Sequence, residues 1–379
     1  MKINIIGGGP AGLYAAYLLK RDRPDAMVHV YEQNDAHTTF GFGVVFSDQA
    51  LEFLRANDPE TLDMVSRGLE TWRDIELRIH AQAIRIDGVG FTAIGRLKLL
   101  EILRQRAESV GAVLINNRIV TSLDGLDSTD LVIGADGVNS LVRRTHEQAF
   151  GTRIDYLDNR FAWFGATRPF DRLTQAFKKL PQGYFNAHYY RYSESMSTFL
   201  VEVDASTFER IGFEHMSEEE SRRYCQEVFA DELAGASLVV NRSMWRRFPK
   251  ISNARWSFGN RVLVGDALRT AHFSIGSGTR LALEDVQALA QSVADHPNSV
   301  PDALASYEAG RRPIVEKITA AANQSADWYD HFPQHMELPA WEFAMDYIGR
   351  SGRVDPERLR TMSPEFVDNY DRWQAAAAS

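Results

Sequence analysis

The sequence contains a single cysteine, Cys225, in 379 residues. One cysteine excludes an intramolecular disulfide framework and a cysteine-rich metal site, and it favours a cytoplasmic location, where thiols stay reduced. A continuous apolar run of about 18 residues is also absent, so the sequence predicts no membrane span. Positive charge is not in excess, because 42 Lys and Arg residues stand against 51 Asp and Glu residues. The resulting net charge of −9 argues against nucleic acid as the main partner.

The remaining composition is that of an ordinary globular protein. Hydrophobic residues make up 44% and charged residues 25% of the chain, and the length predicts two or three units that each bury a core. Internal repeats and linkers rich in Gly and Ser are absent from the sequence. Glycines interrupt the apolar N-terminal stretch between residues 7 and 12, so we expect no signal peptide there.

The order of predicted elements indicates two kinds of structure that are interleaved along the chain. A short apolar strand at 3–6, a helix at 13–20 and a second strand at 28–32 form a predicted β-α-β unit. After about residue 153 the chain becomes rich in aromatic and β-branched residues, as antiparallel strands are. The α/β pattern returns near residue 261, and helical patterns continue from Pro313 onward. The predicted fold class is therefore α/β, with an inserted, mostly antiparallel sheet and C-terminal helices.

A glycine-rich loop follows the first predicted strand. Residues 7–12, Gly-Gly-Gly-Pro-Ala-Gly, fit the pattern G-x-G-x-x-G, in which glycines allow a tight turn and close approach of the backbone to a pyrophosphate. Glu32 follows the last glycine by 20 residues, at the end of the second strand, where a carboxylate can bind a ribose hydroxyl. Three other G-x-G sequences, at 41–43, 88–90 and 276–278, lack the third glycine. The loop predicts dinucleotide binding but does not distinguish FAD from a nicotinamide nucleotide; a purely structural turn is the alternative.

Two further motifs suggest which dinucleotide is bound. Residues 131–143, with the core Gly-Ala-Asp-Gly, match the Asp-Gly signature of flavoprotein hydroxylases, and residues 261–267 match the Gly-Asp signature of the same group. Either motif alone would be an ordinary strand and turn. Together with the glycine loop, they make the chain similar to the FAD-binding hydroxylases. The resemblance implies that Asp266 hydrogen-bonds the ribitol or a ribose of FAD, that Asp136 lies beside the pyrophosphate, and that Arg96 contacts FAD.

Five stretches narrow the resemblance to single-component flavin-dependent aromatic hydroxylases. They are similar to salicylyl-CoA 5-hydroxylases, to the monooxygenase half of 2-aminobenzoyl-CoA monooxygenase/reductase, and to the tryptophan-type hydroxylase of violacein synthesis. The resemblance covers nearly the whole chain, strongly to about residue 330. The five stretches are residues 40–48, 95–96, 186–188, 196–199 and 272–279.

The last of these stretches departs from the broader hydroxylase family in two places. That family has a proline where Ser274 stands and an asparagine where Arg280 stands. The Gly-Ser-Gly-Thr of 276–279, a basic residue and then Leu-Ala-Leu-Glu-Asp at 281–285 are similar to the subgroup that acts on CoA thioesters. These departures favour a small aromatic substrate carried as a CoA thioester.

The resemblance implies an FAD-dependent monooxygenase that hydroxylates an aromatic ring. NADH or NADPH reduces FAD in such enzymes, and O2 then gives a C4a-hydroperoxyflavin that delivers its distal oxygen to the ring. The narrower resemblance implies conversion of salicylyl-CoA to 5-hydroxysalicylyl-CoA (gentisyl-CoA), with 2-aminobenzoyl-CoA or a free aromatic such as a tryptophan derivative as alternatives. Because the sequence has no second G-x-G-x-x-G loop, we expect the nicotinamide nucleotide to bind transiently. An oxygen-independent flavoprotein reductase and a non-enzymatic binding module stay open as alternatives.

The resemblance also implies the domain organisation. The FAD-binding domain is expected to be Rossmann-like, of the glutathione-reductase type, and interrupted by a substrate-binding sheet. Related bifunctional enzymes continue into a reductase domain, so we expect only the oxygenase half here, as a monomer or homodimer. We place the FAD-binding domain at 1–72, 92–155 and 255–312, the substrate-binding sheet at 73–91 and 156–254, and the C-terminal helical region at 313–379.

The residues expected to hold FAD come from these motifs. The glycines of 276–279 precede a predicted helix whose N-terminus would stabilise negative charge on the N1–C2=O edge of the flavin. An ordinary helix start is the alternative interpretation of this turn. The predicted FAD-binding residues are Gly7, Gly9, Pro10, Ala11, Gly12, Glu32, Gln33, Val45, Arg96, Asp136, Gly265, Asp266, Gly276, Gly278 and Thr279.

A hydroxylated or amino-substituted ring needs a group that takes or polarises the proton of its substituent, and histidine suits this near neutral pH. Alternation along the predicted strand 184–192 puts Asn186, His188 and Tyr190 on one face. His272 precedes the glycine turn. We predict His188, His272 and Tyr190 as catalytic residues, although a structural role for either histidine is the alternative. The predicted substrate contacts are Phe42, Phe46, Asn186 and Phe273, and no metal site is expected.

A CoA thioester also needs cations for its phosphates. Two basic clusters in the second domain are candidates, although such clusters are commonly solvated surface. The aromatic C-terminal helices are expected to cover the pocket or to form a dimer contact, with core packing as the alternative. The cations are Arg168, Arg172, Lys178 and Lys179, and Arg246 with Arg247; the aromatic residues are Trp328, Tyr329, Trp341 and Tyr347.

Overall fold

The structure of the chain is a computed structural model that describes residues 1–47, 50–126 and 128–378. Asp48, which closes one of the five stretches named above, lies outside the described residues. Within them, the strands are β1 (Lys2–Ile6), β2 (Met27–Tyr31), β3 (Gly43–Ser47), β4 (Glu70–Trp72), β5 (Ile75–Ile79), β6 (Gln82–Ile86), β7 (Phe91–Gly95), β8 (Val113–Ile115), β9 (Leu131–Gly134), β10 (Thr152–Tyr156), β11 (Arg160–Ala166), β12 (Leu173–Leu180), β13 (Gly183–Arg191), β14 (Ser197–Val203), β15 (Leu238–Val239), β16 (Pro249–Asn253), β17 (Ser257–Phe258) and β18 (Arg261–Leu263).

Helices occupy the segments between the strands and the C-terminal part of the described chain. The α-helices are α1 (Pro10–Asp22), α2 (Glu52–Asn57), α3 (Pro59–Ser66), α4 (Arg96–Ser109), α5 (Leu141–Thr145), α6 (Glu147–Phe150), α7 (Ala205–Ile211), α8 (Glu218–Val228), α9 (Ala230–Leu233), α10 (Gly278–Asp295), α11 (Val300–Asp330), α12 (Phe332–His335), α13 (Ala340–Gly349), α14 (Pro356–Met362) and α15 (Pro364–Ala377). Short 3-10 helices cover Gly137–Asn139, Phe213–His215, Gly265–Ala267 and Phe273–Ile275.

The first sheet is parallel except at one edge and has the strand order β17-β18-β9-β1-β2-β8. Its central strand β1 is fully buried at Ile3 and Ile5, as expected for a strand covered by helices on both faces. Because parallel strands end at the same edge, the loops after β1, β2, β9 and β18 meet there. These loops carry the glycine loop, Glu32 and the two Asp-containing motifs, and the predicted α/β class is confirmed.

The second large sheet has the order β15-β11-β14-β13-β12-β5-β6 and is antiparallel except where β5 pairs with β12. One face packs with α8 and its neighbours in a core that includes Phe185, Tyr189 and Cys225. Alternation along β13 turns His188 and Tyr190 to the opposite face. Two smaller elements, the sheet β3-β7-β4 and the pair β10–β16, complete the strands that the structure describes.

The C-terminal helices pack on β5 and β6 through a largely aromatic core that includes Phe177, Trp328, Tyr329 and Tyr347. The helix α11 is 31 residues long and contains Pro313 in its interior. The expected boundary at 312/313 therefore falls inside one helix, because proline permits a continuing helix where neighbouring packing holds both halves. The other domain boundaries stay predictions. In the described part of the chain, no helix is long and apolar enough to cross a lipid bilayer.

Candidate active site

The glycine loop packs tightly everywhere except at Gly9. A Cβ atom on Gly7 would collide with the carbonyl oxygen of Ala135, and one on Gly12 would collide with that of Gly7. Gly7 also has a φ of +104°, which favours glycine. At Gly9 a Cβ would meet nothing within 4 Å, so this position opens to the cleft. Pro10 and Ala11 begin α1, whose N-cap Gly9 offers no side-chain acceptor, so its first N–H groups are available to a pyrophosphate.

Glu32 lies directly against this loop. Its Oε2 accepts a hydrogen bond from the backbone N–H of Gly8 at 2.8 Å, and its Oε1 accepts two from Asn34 at 2.8 and 2.7 Å. These bonds fix the carboxylate at the mouth of the loop, where a ribose hydroxyl can donate to its remaining lone pairs. The side chain of Gln33 is exposed beside it.

The two Asp-containing motifs meet at the same edge of the sheet. Arg143, which ends the first motif, donates from Nη1 to the carbonyl oxygen of Ala267 in the second motif, at 2.9 Å. Asp136 accepts from the N–H of Leu141 at 2.6 Å through Oδ2, while its Oδ1 is buried with no hydrogen-bond partner among the described residues. Burial raises the pKa of the Asp136 carboxyl. An orphaned buried acceptor of this kind fits a bound ligand that donates a hydrogen bond.

Arg96 and Asp266 are near enough to influence each other's charge. The Asp266 side chain is exposed, yet the surrounding protein raises the pKa of its carboxyl, against the attraction of Arg96. Burial lowers the pKa of Arg96, and Asp266 opposes that shift. Arg96 begins α4 and donates from Nε to Oγ1 of Thr39 at 3.2 Å. The glycine loop, Glu32, Asp136 and Asp266 thus follow strands that end at one edge of the parallel sheet, with Arg96 near Asp266, and this set of groups fits FAD.

The second glycine turn lies between β3 and the start of α10. Gly276 has a φ of +59°, and a Cβ there would be 3.6 Å from the side chains of Val45 and Phe91. Gly278 is the first residue of α10, and Thr279 follows it in the first turn, which has no side-chain cap. Gly265, also at a φ of +59°, packs against α1 and α10. The free N–H groups of an 18-residue helix thus point out of this turn.

The structure brings the two predicted catalytic histidines into contact with one phenylalanine. The ring centroid of Phe273 lies 4.0 Å from that of His272 and 5.5 Å from that of His188. His272 is fixed by a hydrogen bond between Nδ1 and Oγ of Ser274 at 2.8 Å, and that hydroxyl contacts Oγ of Ser325 at 2.7 Å. In the described part of the chain, Nε2 of His272 and Nδ1 of His188 are buried without partners.

Both imidazoles are neutral at pH 7. Burial is the main cause that lowers the pKa of His188 to about 4 and that of His272 to about 3; the positive charge of Arg350 contributes to both shifts, and His188 contributes to that of His272. A neutral imidazole has one nitrogen that can accept a proton. The pair is therefore available as hydrogen-bond acceptors for a substrate hydroxyl or amino group.

The other predicted substrate and catalytic residues are placed differently. Asn186 shares the face of His188 on β13, is fully buried, and has no described partner for either amide atom. Tyr190 donates to the carbonyl oxygen of Gly43 at 3.1 Å, which ties the sheet to the start of β3. Phe42 packs against Gly165 of β11. Phe46 is fully buried in the core of the parallel-sheet domain, on the opposite face of β3 from Val45, so the structure does not bring it to the histidines.

Sequence reasoning missed Arg350, which follows α13. Its guanidinium donates from Nη2 to the carbonyl oxygen of Ser274 at 3.0 Å and from Nη1 to that of Tyr347 at 2.7 Å. It also lies over the Tyr347 ring, 3.8 Å from the ring centroid. The neighbouring Tyr329 packs 5.6 Å from His272, between ring centroids. No motif marks this region, so only the three-dimensional packing identifies it as part of the site.

The basic clusters expected to bind CoA phosphates are largely engaged within the protein. Lys178 pairs with Glu232 at 2.8 Å, Lys179 with Glu337 at 2.6 Å, and Arg172 with Glu76 at 3.4 Å. Arg168 donates to the carbonyl oxygen of Glu232 at 2.9 Å, and Arg247 pairs with Asp158 at 2.7 Å, while Arg246 is exposed. Because Lys178 and Lys179 point to opposite faces of β12, these residues do not form one cationic patch.

Comparison with known proteins agrees with the FAD fit. Residues 1–322 match the family described as FAD binding domain. Salicyloyl-CoA 5-hydroxylase from a Streptomyces species is 40% identical over 98% of this chain and 74% of that protein. The 3-hydroxy-4-methyl-anthranilyl-[aryl-carrier protein] 5-monooxygenase of Streptosporangium sibiricum is 36% identical over 95% of this chain and 97% of that protein. Protodeoxyviolaceinate monooxygenase of Chromobacterium violaceum is 34% identical over 94% and 96%.

The fold is also that of a solved oxygenase. The tetrameric form of 2-methyl-3-hydroxypyridine-5-carboxylic acid oxygenase superposes with a TM-score of 0.73 over 95% of both chains, at 21% identity. The predicted resemblance to flavin-dependent hydroxylases is confirmed, and with it the need for FAD, O2 and NAD(P)H. The chain therefore belongs to the FAD binding domain family and is a flavoprotein aromatic monooxygenase.

Proposed function

We propose that this monooxygenase hydroxylates the ring of an aromatic acyl thioester, with salicylyl-CoA as substrate and 5-hydroxysalicylyl-CoA as product. The observation that carries the proposal is the Ser274 hydroxyl, which connects Nδ1 of His272 to Ser325. A proline at this position, as in the broader hydroxylase family, has no hydroxyl for these contacts. The 40% identity to a salicyloyl-CoA 5-hydroxylase supports the same substrate class.

In the proposed reaction, bound FAD supplies the reduction and oxygen-activating chemistry. The glycine loop and Glu32 hold its dinucleotide part, and the N-terminus of α10 offers N–H groups to negative charge. Aromatic side chains exclude water from the ring, because Phe161 and Phe248 pack on Phe273 with ring centroids 5.2 and 5.9 Å away.

His272 is placed to polarise the hydroxyl of the substrate. In the tautomer that carries its proton on Nδ1, the imidazole donates to the Ser274 hydroxyl, and its unpartnered Nε2 accepts a hydrogen bond from the substrate hydroxyl. This hydrogen bond raises electron density at the para carbon of the ring, which is C5 of a salicylyl group. Because burial lowers the pKa of His272 to about 3, the imidazole stays neutral and available as an acceptor. Nδ1 of His188, which also has no partner among the described residues, is a second acceptor beside Phe273.

The proposal is tested by measuring NAD(P)H oxidation with salicylyl-CoA, 2-aminobenzoyl-CoA, free salicylate and tryptophan. We expect stimulation by salicylyl-CoA, matching O2 uptake, and a product hydroxylated at C5 by mass spectrometry and NMR. Stimulation by 2-aminobenzoyl-CoA alone would identify the amino-substituted thioester as the substrate. Stimulation only by a free acid or by tryptophan would show that the substrate is not a thioester.

A further inference from the structure

A groove of about 480 Å³ lies on the C-terminal helices, outside the residues assigned to FAD and to the aromatic ring. Most of its wall comes from the end of α11, from α12 and from α13. It is lined by Gln324, Asp327, Trp328, His331, Gln334, His335, Asp346, Gly349 and Arg350.

The inner wall of this groove is shared with the candidate active site. Arg350 lines the groove and also donates to the carbonyl oxygen of Ser274, two residues from His272. Trp328 lines the groove and packs on Tyr329, with ring centroids 5.2 Å apart, and Tyr329 packs on His272. The groove therefore lies next to the candidate active site, with Arg350 and the pair Trp328–Tyr329 between them.

The groove lining suits a flexible, amide-containing chain that carries one phosphate. Gln324 and Gln334 can each donate to and accept from an amide, and Trp328 supplies an apolar wall. His335 is held by Asp346 at 2.8 Å, and the same carboxylate accepts from Nε1 of Trp328 at 2.6 Å. Because Asp327 is paired with Lys250 at 2.9 Å and Asp346 is also engaged, the groove carboxylates are partly neutralised, which lowers their repulsion of an anion.

The two most similar relatives named above point to the same chemistry. One is named for a CoA thioester and the other for a substrate held on an aryl-carrier protein. CoA and carrier proteins both present the acyl group on a phosphopantetheine arm, which contains two amides, a hydroxyl and a phosphate. Most cations of the basic clusters in the second domain, with the exception of the exposed Arg246, contact other groups of the protein, which favours the groove as the site for that arm.

We propose that the groove on α11, α12 and α13 binds the phosphopantetheine arm of the thioester, with the thioester end beside Arg350. This inference rests on the proposed function. The arm enters past His331 and His335, runs along Trp328 and Gly349, and presents the aromatic acyl group on the side of Arg350 that faces His188 and His272.

Gly349 provides a sharp test of the groove. It is the last residue of α13, and a Cβ there would meet nothing within 4 Å, so Gly349→Leu places a side chain in the groove without an internal clash. Gly310 is a matched control, because it is also helical and also open, and it lies in α11 away from the groove lining. The assay compares salicylyl-CoA with the salicylyl thioester of N-acetylcysteamine, which lacks most of the arm.

The quantity compared is the preference for the full arm, which is kcat/KM for salicylyl-CoA divided by kcat/KM for the truncated thioester. We expect this preference to fall at least tenfold in Gly349→Leu. In Gly310→Leu it should stay at the wild-type value. An equal ratio in wild type and Gly349→Leu, or an equal fall in both variants, would overturn the groove assignment alone. A wild type that hydroxylates no thioester would overturn the proposed function and the groove together. A further comparison identifies the molecule that carries the arm. It measures KM for salicylyl-pantetheine, for salicylyl-CoA and for a salicylyl-loaded aryl-carrier protein, and the preferred carrier has the lowest KM.

Discussion

Arg350 donates a hydrogen bond from Nη2 to the carbonyl oxygen of Ser274, at 3.0 Å. The guanidinium comes from the end of α13, whereas Ser274 lies in the turn that leads into α10. The bond therefore joins the C-terminal helices to the segment that also positions His272. The same positive charge adds to burial in lowering the pKa of both active-site histidines.

Replacing Arg350 by glutamine should move the acid limb of the kcat–pH profile to higher pH. Removal of the positive charge raises the pKa of His188 and His272, so both imidazoles become protonated, and unable to accept, at a higher pH than in the wild type. The exposed Arg353 is the control, and Arg353→Gln should keep the wild-type profile. An unchanged acid limb in Arg350→Gln would contradict the electrostatic role.

His188→Ala and His272→Ala should each bind FAD normally and lose coupled hydroxylation by about 100-fold or more. Neither side chain belongs to the cleft that we assign to the dinucleotide, so the flavin absorbance should remain. The measurement is the ratio of hydroxylated product to NAD(P)H consumed. His215→Ala is the control, because the side chain of His215 is 81% exposed. Wild-type coupling in both active-site variants would remove the histidines from the mechanism.

The Ser274 hydroxyl, which holds His272 in place, should be needed for hydroxylation but not for FAD binding. Ser274→Ala loses the contacts with His272 and Ser325, and we expect kcat to fall about tenfold. Ser274→Thr keeps a hydroxyl and should recover most of the activity. Equal kcat values for the Ala and Thr variants would show that the hydroxyl has no part in the reaction.

Two substitutions in the glycine loop should have different effects, one on FAD binding and the other on the stability of the protein. Gly9→Ala should leave thermal stability without FAD unchanged and raise the Kd for FAD at least tenfold, because only the ligand side of Gly9 is open. Gly12→Ala should destabilise the protein itself, because its Cβ would overlap the carbonyl oxygen of Gly7. Thermal unfolding and flavin titration distinguish the two effects, and an unchanged Kd in Gly9→Ala would contradict the placement of the pyrophosphate.

Glu202 should make the protein less stable as the pH rises. Burial raises the pKa of its carboxyl from 4.5 to about 8. Between these values the unfolded chain has already released the proton that the folded protein still holds, so the free energy of unfolding falls as the pH increases. Glu202→Gln cannot ionise and should be more stable than the wild type near pH 8, by on the order of 3 kcal/mol. Denaturant unfolding of the holoenzyme measures this, with the exposed Glu194→Gln as control.

The parallel-sheet half of the fold was predictable because its signals are local. The glycine loop and Glu32 lie at the ends of adjacent strands, and G-x-G-x-x-G with a following acidic residue describes that geometry directly. The pairing of β5 with β12 was not predictable in the same way. These two strands are far apart in the sequence, and their pairing depends on tertiary packing. The alternation of apolar and polar residues predicts a strand and its buried face, but it does not predict the neighbouring strand.

The candidate site was predictable only in part, for a similar reason. Alternation put His188 and Asn186 on one face of β13, and the structure has them there. Alternation along β3 also puts Phe46 and Val45 on opposite faces. The family resemblance predicted both as site residues and did not distinguish the two faces. Ser325 lies on α11 and Arg350 directly follows α13, and no motif marks either residue; the packing of these helices brings both to Ser274, next to His272.

The continuity of α11 has a practical consequence for dividing this protein into parts. Arg311, near the middle of that helix, pairs with Glu284 and Asp285 of α10, whereas Tyr329, near its end, contacts Gln175 of β12. A fragment cut at 312/313 would divide this helix and separate its contacts with α10 from its contact with β12. Chimeras and truncated versions should therefore keep residues 300–330 intact and place their crossover points in loops.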